Sequence, residues 1–174
     1  SKATNLLNSE DVISTLNCLK KLGVIIKHNK KFCEITGRGL GSFNNKKNLT
    51  LNAGNSGTAA RLLMAALVQS KNTIKITGDN SLKKRDMSRI VQPLQKFGAE
   101  FINNKKTLPI YIKGSNFLKP IIYDELRGSA QCKSAVMIAA LNVKGKTKLS
   151  CVPSRNHSEL MFKNVLKIPI RIKK

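Results

Sequence analysis

Three short segments gather residues able to grip an anion: NAGNSGTAAR (52–61), GDNSLKKRDMSR (78–89) and RGSAQCKS (127–134). Each sets Gly, Ser, Thr or Asn just ahead of a predicted helix. Exposed backbone N–H groups and the positive end of the helix suit such a turn to phosphate. Small residues let a ligand come close to the backbone. A fourth segment, SRNHSE (154–159), adds Arg155 and His157 ahead of another helix. Taken singly, each has a plain structural reading. Asn55, Ser56, Gly57 and Thr58 suit a loop and N-cap, Lys84 and Arg85 a solvated charged turn, Ser154 or Asn156 a cap. Gln131 suits a contact with a neighbouring loop, and His28 an exposed hairpin turn. The chain has no GxxxxGK[ST] and so no P-loop.

The elements that must position these turns form a repeat. LTLN predicts a short strand. GTAARLLMAALV predicts a helix apolar on nearly every face, hence buried. TIKITGD alternates with period two, as a strand does. MSRIVQPLQKFGA predicts an amphipathic helix with Ile90, Val91, Leu94 and Phe97 on one side, kinked or shifted by Pro93 and stopped at Gly98. EFINNKKTLPIYIKG predicts a hairpin turning at NNKK. The order is strand, helix, strand, helix, strand, strand, and it begins again with KPIIYDE, SAQCKSAVMIAALNV, TKLSCVPS, NHSELMFKNVL and IPIRIKK. Ahead of it, SEDVISTLNCLKKLG predicts a helix capped by Ser9, followed by a hairpin turning at HNKK. There the unit's first strand and helix are expected to be absent. KKLGVII and QKFGAEF mark the same helix-to-hairpin joint in two units. The expected fold is α/β, with about two and a half βαβαββ units in one domain spanning 1–174, at roughly 1–40, 48–115 and 119–174. A polar loop, 41–48, separates the first two. With this repeat, the three anion-suited turns fall along one edge.

Composition narrows the function classes. The chain has 174 residues, 41% of them apolar, enough for a packed core. Lys and Arg number 32 against nine Asp and Glu, a formal charge of +23 that attracts phosphates, nucleic acid or anionic lipid without choosing among them. No apolar run approaches the ~20 residues of a membrane span, and SKATNLLNSED lacks a signal-peptide core. A soluble cytoplasmic protein is expected. Cys18, Cys33, Cys132 and Cys151 are scattered without a CxxC pair, and His28 and His157 do not complete a zinc set. They are expected as reduced, half-buried thiols, with no metal site.

Taken together and in this order, LNAGNSGTAARLL, GDNSLKKRDMSRIVQPLQKFGA, SAQCKSAVMIAALNVKG and PSRNHSELM closely resemble 5-enolpyruvylshikimate-3-phosphate synthase, over essentially the whole chain. The resemblance implies an enolpyruvyl transferase, an inside-out α/β barrel of two domains with three βαβαββ units each. Such an enzyme moves the enolpyruvyl group of phosphoenolpyruvate onto the 5-hydroxyl of shikimate 3-phosphate, by addition and then elimination of phosphate. The step belongs to aromatic amino acid biosynthesis and needs no cofactor. By motif match, Arg85 holds the phosphoenolpyruvate phosphate, and Asn55, Ser56, Gly57 and Thr58 line that half of the site, where glyphosate also sits. Ser129, Ala130, Gln131 and Arg155 bind shikimate 3-phosphate. Three residues depart from the pattern: Asp86 stands where Pro is usual, Leu62 where many members have Pro, and Ala130 where many have a second serine. The family's Lys-Ser-x-x-x-Arg motif would precede Ser1, and its second domain, with the acid and base carboxylates, would follow Lys174. That second domain is the expected partner, and residues 1–174 alone are expected to be inactive. The sibling UDP-N-acetylglucosamine enolpyruvyl transferase shares the fold and repeat, but the SLKKRDM and SAQ segments are not expected there in this form. The rival of another class is a basic nucleic-acid-binding module. Two Tyr, six Phe and no Trp leave it without the stacking platforms of single-strand binders, and no zinc-finger, RNP or KH signature is present.

Overall fold

The computed structural model of the chain describes residues 1–43, 47–103 and 105–171. Its first unit contains β1 (Lys2–Thr4), α1 (Glu10–Lys21), β2 (Ile25–His28) and β3 (Phe32–Thr36). The second contains β4 (Leu49–Asn52), α2 (Gly57–Ala66), β5 (Ile74–Thr77), α3 (Asn80–Lys83), α4 (Ser88–Phe97), β6 (Glu100–Phe101) and β7 (Ile110–Lys113). The third contains β8 (Ile122–Glu125), α5 (Ala130–Ala140), β9 (Lys148–Cys151), α6 (His157–Leu160) and a π-helical turn, Met161–Val165.

Three separate sheets carry one topology. In the second unit the strand order is β4-β5-β7-β6, with β4 and β5 parallel and β7 antiparallel to both β5 and β6. The first unit repeats its last three strands as β1-β3-β2, both pairs antiparallel. The third repeats its first two, with β8 and β9 parallel. A crossover helix is what lets adjacent strands run parallel; α2 supplies it in one unit and α5 in the other.

Two details differ from the sequence reading. β1 is an element that reading did not include, and it matches β5, the second strand of the unit, rather than the first strand and helix expected to be absent: KAT has no apolar alternation to betray a strand, yet it pairs through Lys2↔Glu34, Ala3↔Cys33 and Thr4↔Phe32. At the other end, residues 168–171 of IPIRIKK form no strand, and 172–174 lie outside the described residues. Asn104 of the NNKK turn and residues 44–46 of the polar loop lie outside them as well.

The local causes are ordinary ones. Ser9, Ser56 and Ser129 cap α1, α2 and α5, each hydroxyl accepting a backbone N–H three residues on. α4 runs through Pro93 and ends at Gly98, whose φ of 115° is left-handed. Ile90, Leu94 and Phe97 of α4 are fully buried, which stabilises the fold by roughly 1.5–3 kcal/mol per side chain. Both crossover helices are buried as expected. Ala59, Ala60, Leu63, Met64 and Ala65 on α2 face one core with Cys132, Ala135, Val136 and Ala139 on α5, and these helices pack on each other. α2 also touches α1 and α4. Cys18, Cys33 and Cys132 are buried outright, and only Cys151 is exposed; all four are free thiols. No helix among the described residues is long and apolar enough to cross a membrane.

Candidate functional site

The parallel pairs decide where the polar turns go. β4 and β5 end together at Asn52 and Thr77, and β8 and β9 end together at Glu125 and Cys151. The turns that follow each pair therefore lie side by side. In the second unit, the N–H of Asp79 donates to the carbonyl of Gly54 at 2.8 Å. In the third, the Gly128 turn abuts Val152 and Pro153. Gly54 lies two residues before the N-cap Ser56, and Gly128 one residue before the N-cap Ser129. Both are left-handed, at φ +59° and +67°, a conformation that disfavours any residue with a Cβ.

Side chains then join the two pairs of turns. Thr58, on the first turn of α2, meets Gln131 on the first turn of α5: Gln131 Nε2 donates to Thr58 Oγ1 at 2.7 Å. Arg61, one turn further along α2, donates from Nη1 to Gln131 Oε1 at 2.8 Å. Two helix N-termini thus begin next to each other, with their positive ends on one side.

Arg85 enters from the segment between α3 and α4. Its Nη2 donates to Asn55 Oδ1 at 3.5 Å, while Asn55 Nδ2 donates to Asp79 Oδ2 at 2.6 Å. The Asp79 carboxylate also caps α3, accepting from Leu82 N–H at 2.7 Å. The bond from Asn55 and then that cap hold its pKa below the ordinary value. Gly57 lies under both guanidiniums. A Cβ there would sit 2.5 Å from Arg61 Nη1 and 3.2 Å from Arg85 Nη1. Burial first, and then the neighbouring Arg85 and Arg89, push the pKa of Arg61 down. A cationic cluster with so few carboxylates beside it is built for an anion.

Arg61 and Arg89 had no place among the sequence candidates. Arg61 sits in a helix otherwise apolar, where one arginine reads as a solvated edge, and Arg89 sits in an amphipathic helix where charge is routine. Arg89 is engaged by a carboxylate: its Nη2 lies 2.7 Å from Oε1 of Glu125, a residue only 3% exposed. Asp86, the departure beside Arg85, turns its carboxylate back onto the start of α4 and accepts from Ser88 N–H at 2.6 Å. It serves as the cap that Met87 cannot provide.

The remaining candidates are placed as follows. Ser129 Oγ caps α5, accepting from Cys132 N–H at 3.3 Å, and Ala130 is the first residue of that helix. Arg155 is exposed, on the turn after β9, and makes no hydrogen bond or ion pair among the described residues. That turn is held by α6. Lys133, 3% exposed, reaches Glu159 Oε1 at 2.5 Å, and Ser134 Oγ lies 2.6 Å from Ser158 Oγ. His28 ends β2, outside this cluster. Among the described residues no three His, Cys, Asp or Glu side chains gather as metal donors.

A fold of repeated βαβαββ units whose crossover turns meet at an anion-suited cluster defines the enolpyruvyl transferase class. The enolpyruvyl transferase NikO from Streptomyces tendae shares that fold with a TM-score of 0.58 at 13% identity, over 90% of this chain and 35% of its own. The family model described as EPSP synthase (3-phosphoshikimate 1-carboxyvinyltransferase) matches residues 1–174, and the chain belongs to that family. The 3-phosphoshikimate 1-carboxyvinyltransferase of Ruthia magnifica is 42% identical over 165 residues, which is 94% of this chain and 38% of the relative. That of Caldicellulosiruptor saccharolyticus is 42% identical over 163 residues, 92% of this chain and 37% of the relative. The EPSP synthase structure from Acinetobacter baumannii superposes with a TM-score of 0.86 at 36% identity, over 94% of this chain and 37% of that one. The chain therefore spans under two-fifths of the length of these relatives.

Proposed function

We propose that this chain supplies one half of the active site of an enzyme that transfers the enolpyruvyl group of phosphoenolpyruvate to the 5-hydroxyl of shikimate 3-phosphate. The observation that carries the reading is the meeting of α2 and α5 through Thr58, Gln131 and Arg61. It brings the turn assigned to one phosphorylated substrate against the turn assigned to the other. In this reading Arg85 grips the phosphate of phosphoenolpyruvate, with Asn55 steering its guanidinium and Ser56, Gly57 and Thr58 forming the floor. Ser129 takes the phosphate of shikimate 3-phosphate, Ala130 leaves room beside it, and Gln131 faces the ring. The unpaired guanidinium of Arg155 closes on the same phosphate. A forked guanidinium matches phosphate oxygens in pairs.

The residues here bind and orient; they do not supply the proton transfers. Of the carboxylates at the cluster, Asp79 is tied to Asn55 and the cap of α3, and Glu125 to Arg89 and Ser129. Both are held in the ionised form, opposite to what a general acid needs. The acid and base of this reading come from a second domain, which is the proposed partner, and the proposed setting is the cytoplasm.

Titration of the chain with shikimate 3-phosphate, followed by amide chemical shifts, is the test. Shifts at Ser129, Gln131 and Thr58 that Gln131→Ala abolishes are expected. Saturating ligand with no change at these three amides would overturn the assignment.

A further inference from the structure

β8 ends in a carboxylate that lies outside the proposed ligand contacts. Both oxygens of Glu125 are engaged, Oε1 accepting from Arg89 Nη2 at 2.7 Å and Oε2 from the Ser129 N–H at 2.7 Å. Its backbone carbonyl accepts from Val152 N–H at 3.1 Å. One buried residue thus touches α4 of the second unit, the turn into α5, and the turn after β9.

We propose that Glu125 is a positioning residue for the anion cluster: it fixes the Ser129 turn against α4 and so sets the spacing between the Arg85 half and the Ser129 half. The identity of the ligand rests on the function proposed above; the positioning itself rests on these bonds. The residue type follows from the two donors. A carboxylate presents an acceptor to each of them, whereas an amide presents one acceptor and turns its NH2 toward the other donor. Burying the charge is unfavourable unless both bonds form with good geometry, so the turn has one arrangement. Glu125 also withholds Arg89 from the ligand, leaving Arg61 and Arg85 as the arginines beside Gly57.

The charged and titratable groups that act on Glu125 are Arg89 on α4, Tyr123 on β8 and Arg127 in the turn, and beyond them Arg61 on α2 and Cys132 on α5 act on Arg89. Burial raises the carboxyl pKa, but the bonds from Ser129 and Arg89 outweigh it and hold it below the ordinary value. The Ser129 amide therefore reports directly on this carboxylate.

The experiment compares the 174-residue chain with its Glu125→Gln variant by amide NMR. Exchange of the Ser129 amide is expected to be at least about tenfold faster in the variant, since a charge-assisted bond is lost. Binding of shikimate 3-phosphate is expected to weaken at least about fivefold, with the β4–β7 sheet resonances unchanged. Equal exchange and equal affinity in the two proteins would overturn the proposal. A wild-type chain that binds no shikimate 3-phosphate refutes the proposed function, while the exchange rates still decide the role of Glu125. Should the variant not fold, the wild-type Ser129 amide shift is followed into acid. A midpoint below about 4.3, the ordinary glutamate value, is expected; a shift that does not titrate, or does so at the ordinary value, overturns the proposal.

Discussion

Gln131 accepts a hydrogen bond from Arg61 at 2.8 Å across 70 positions of the chain. The same amide group donates to Thr58 at 2.7 Å, so its orientation is fixed from both ends. Replacing Gln131 with Ala breaks both bonds and frees Arg61. Loss of shikimate 3-phosphate affinity is expected, with a stability loss of about 1 kcal/mol per bond. Among the described residues Arg155 has no partner to lose. Arg155→Ala should weaken ligand binding and leave Tm unchanged, and Ser129→Ala should show a capping loss of about 1 kcal/mol as well as weaker binding. Melting curves with and without ligand separate the three. A collapse of Tm on Arg155→Ala would show that this arginine is structural.

Arg85 is exposed, and among the described residues its guanidinium hydrogen-bonds to Asn55 alone, a geometry that leaves most of its donors to a ligand. In an active enzyme containing this chain, Arg85→Ala should lower kcat/KM by the equivalent of about 2 kcal/mol or more. Unchanged kinetics would move the phosphate contact to Lys83 or Lys84.

Gly57→Ala tests crowding. The new methyl group meets Arg61 Nη1 at 2.5 Å before it meets any ligand, with Arg85 Nη1 at 3.2 Å. Both guanidiniums must move, so the substitution acts on the anion site through its arginines. Both phosphoenolpyruvate affinity and inhibition by glyphosate are expected to weaken, read as a higher KM and a higher inhibition constant. Equal inhibition of the two forms would remove the steric account.

The Lys133–Glu159 pair docks α6 on α5 almost out of reach of water. Lys133→Met strands the Glu159 carboxylate, whose Oε2 already lacks a hydrogen-bond partner among the described residues. A loss of about 3–5 kcal/mol is expected in denaturant unfolding. The double variant Lys133→Met with Glu159→Leu should recover most of it. No recovery would show that the pair is not the source of the loss.

Release of phosphate from phosphoenolpyruvate, assayed with both substrates present, should be absent for residues 1–174 alone. In the proposed function, closure over the ligands would expel water and bring in the acid and base, and here Asp79 and Glu125 are committed to other bonds. Turnover well above background would show that the chemistry needs nothing beyond these residues.

The strand-to-helix turns were legible in sequence because small polar residues stand just ahead of a helix at each of them, and the unit order followed from hydrophobic period. The groups that hold those turns in place were not legible. Glu125 reads as the end of a strand, Lys133 as a solvated charge in SAQCKS, and Arg61 as a polar edge. Glu125 and Arg61 gain their meaning from a partner on another unit, and Lys133 from Glu159 on the next helix of its own unit, which no local pattern contains. Asp86 shows the same limit, since its capping bond to Ser88 appears only once the segment bends back.

The three sheets share no strand, so the second and third units are sewn together by helices and by the very side chains proposed to face the ligands. The binding cluster is a suture. A molecule that spans Arg85 and Ser129 tightens the seam between two units, and by mass action it raises the stability of the whole chain rather than of one turn. Conversely, a substitution that eases the seam apart lowers affinity and thermal resistance together, which ties the drift of one unit to that of the other.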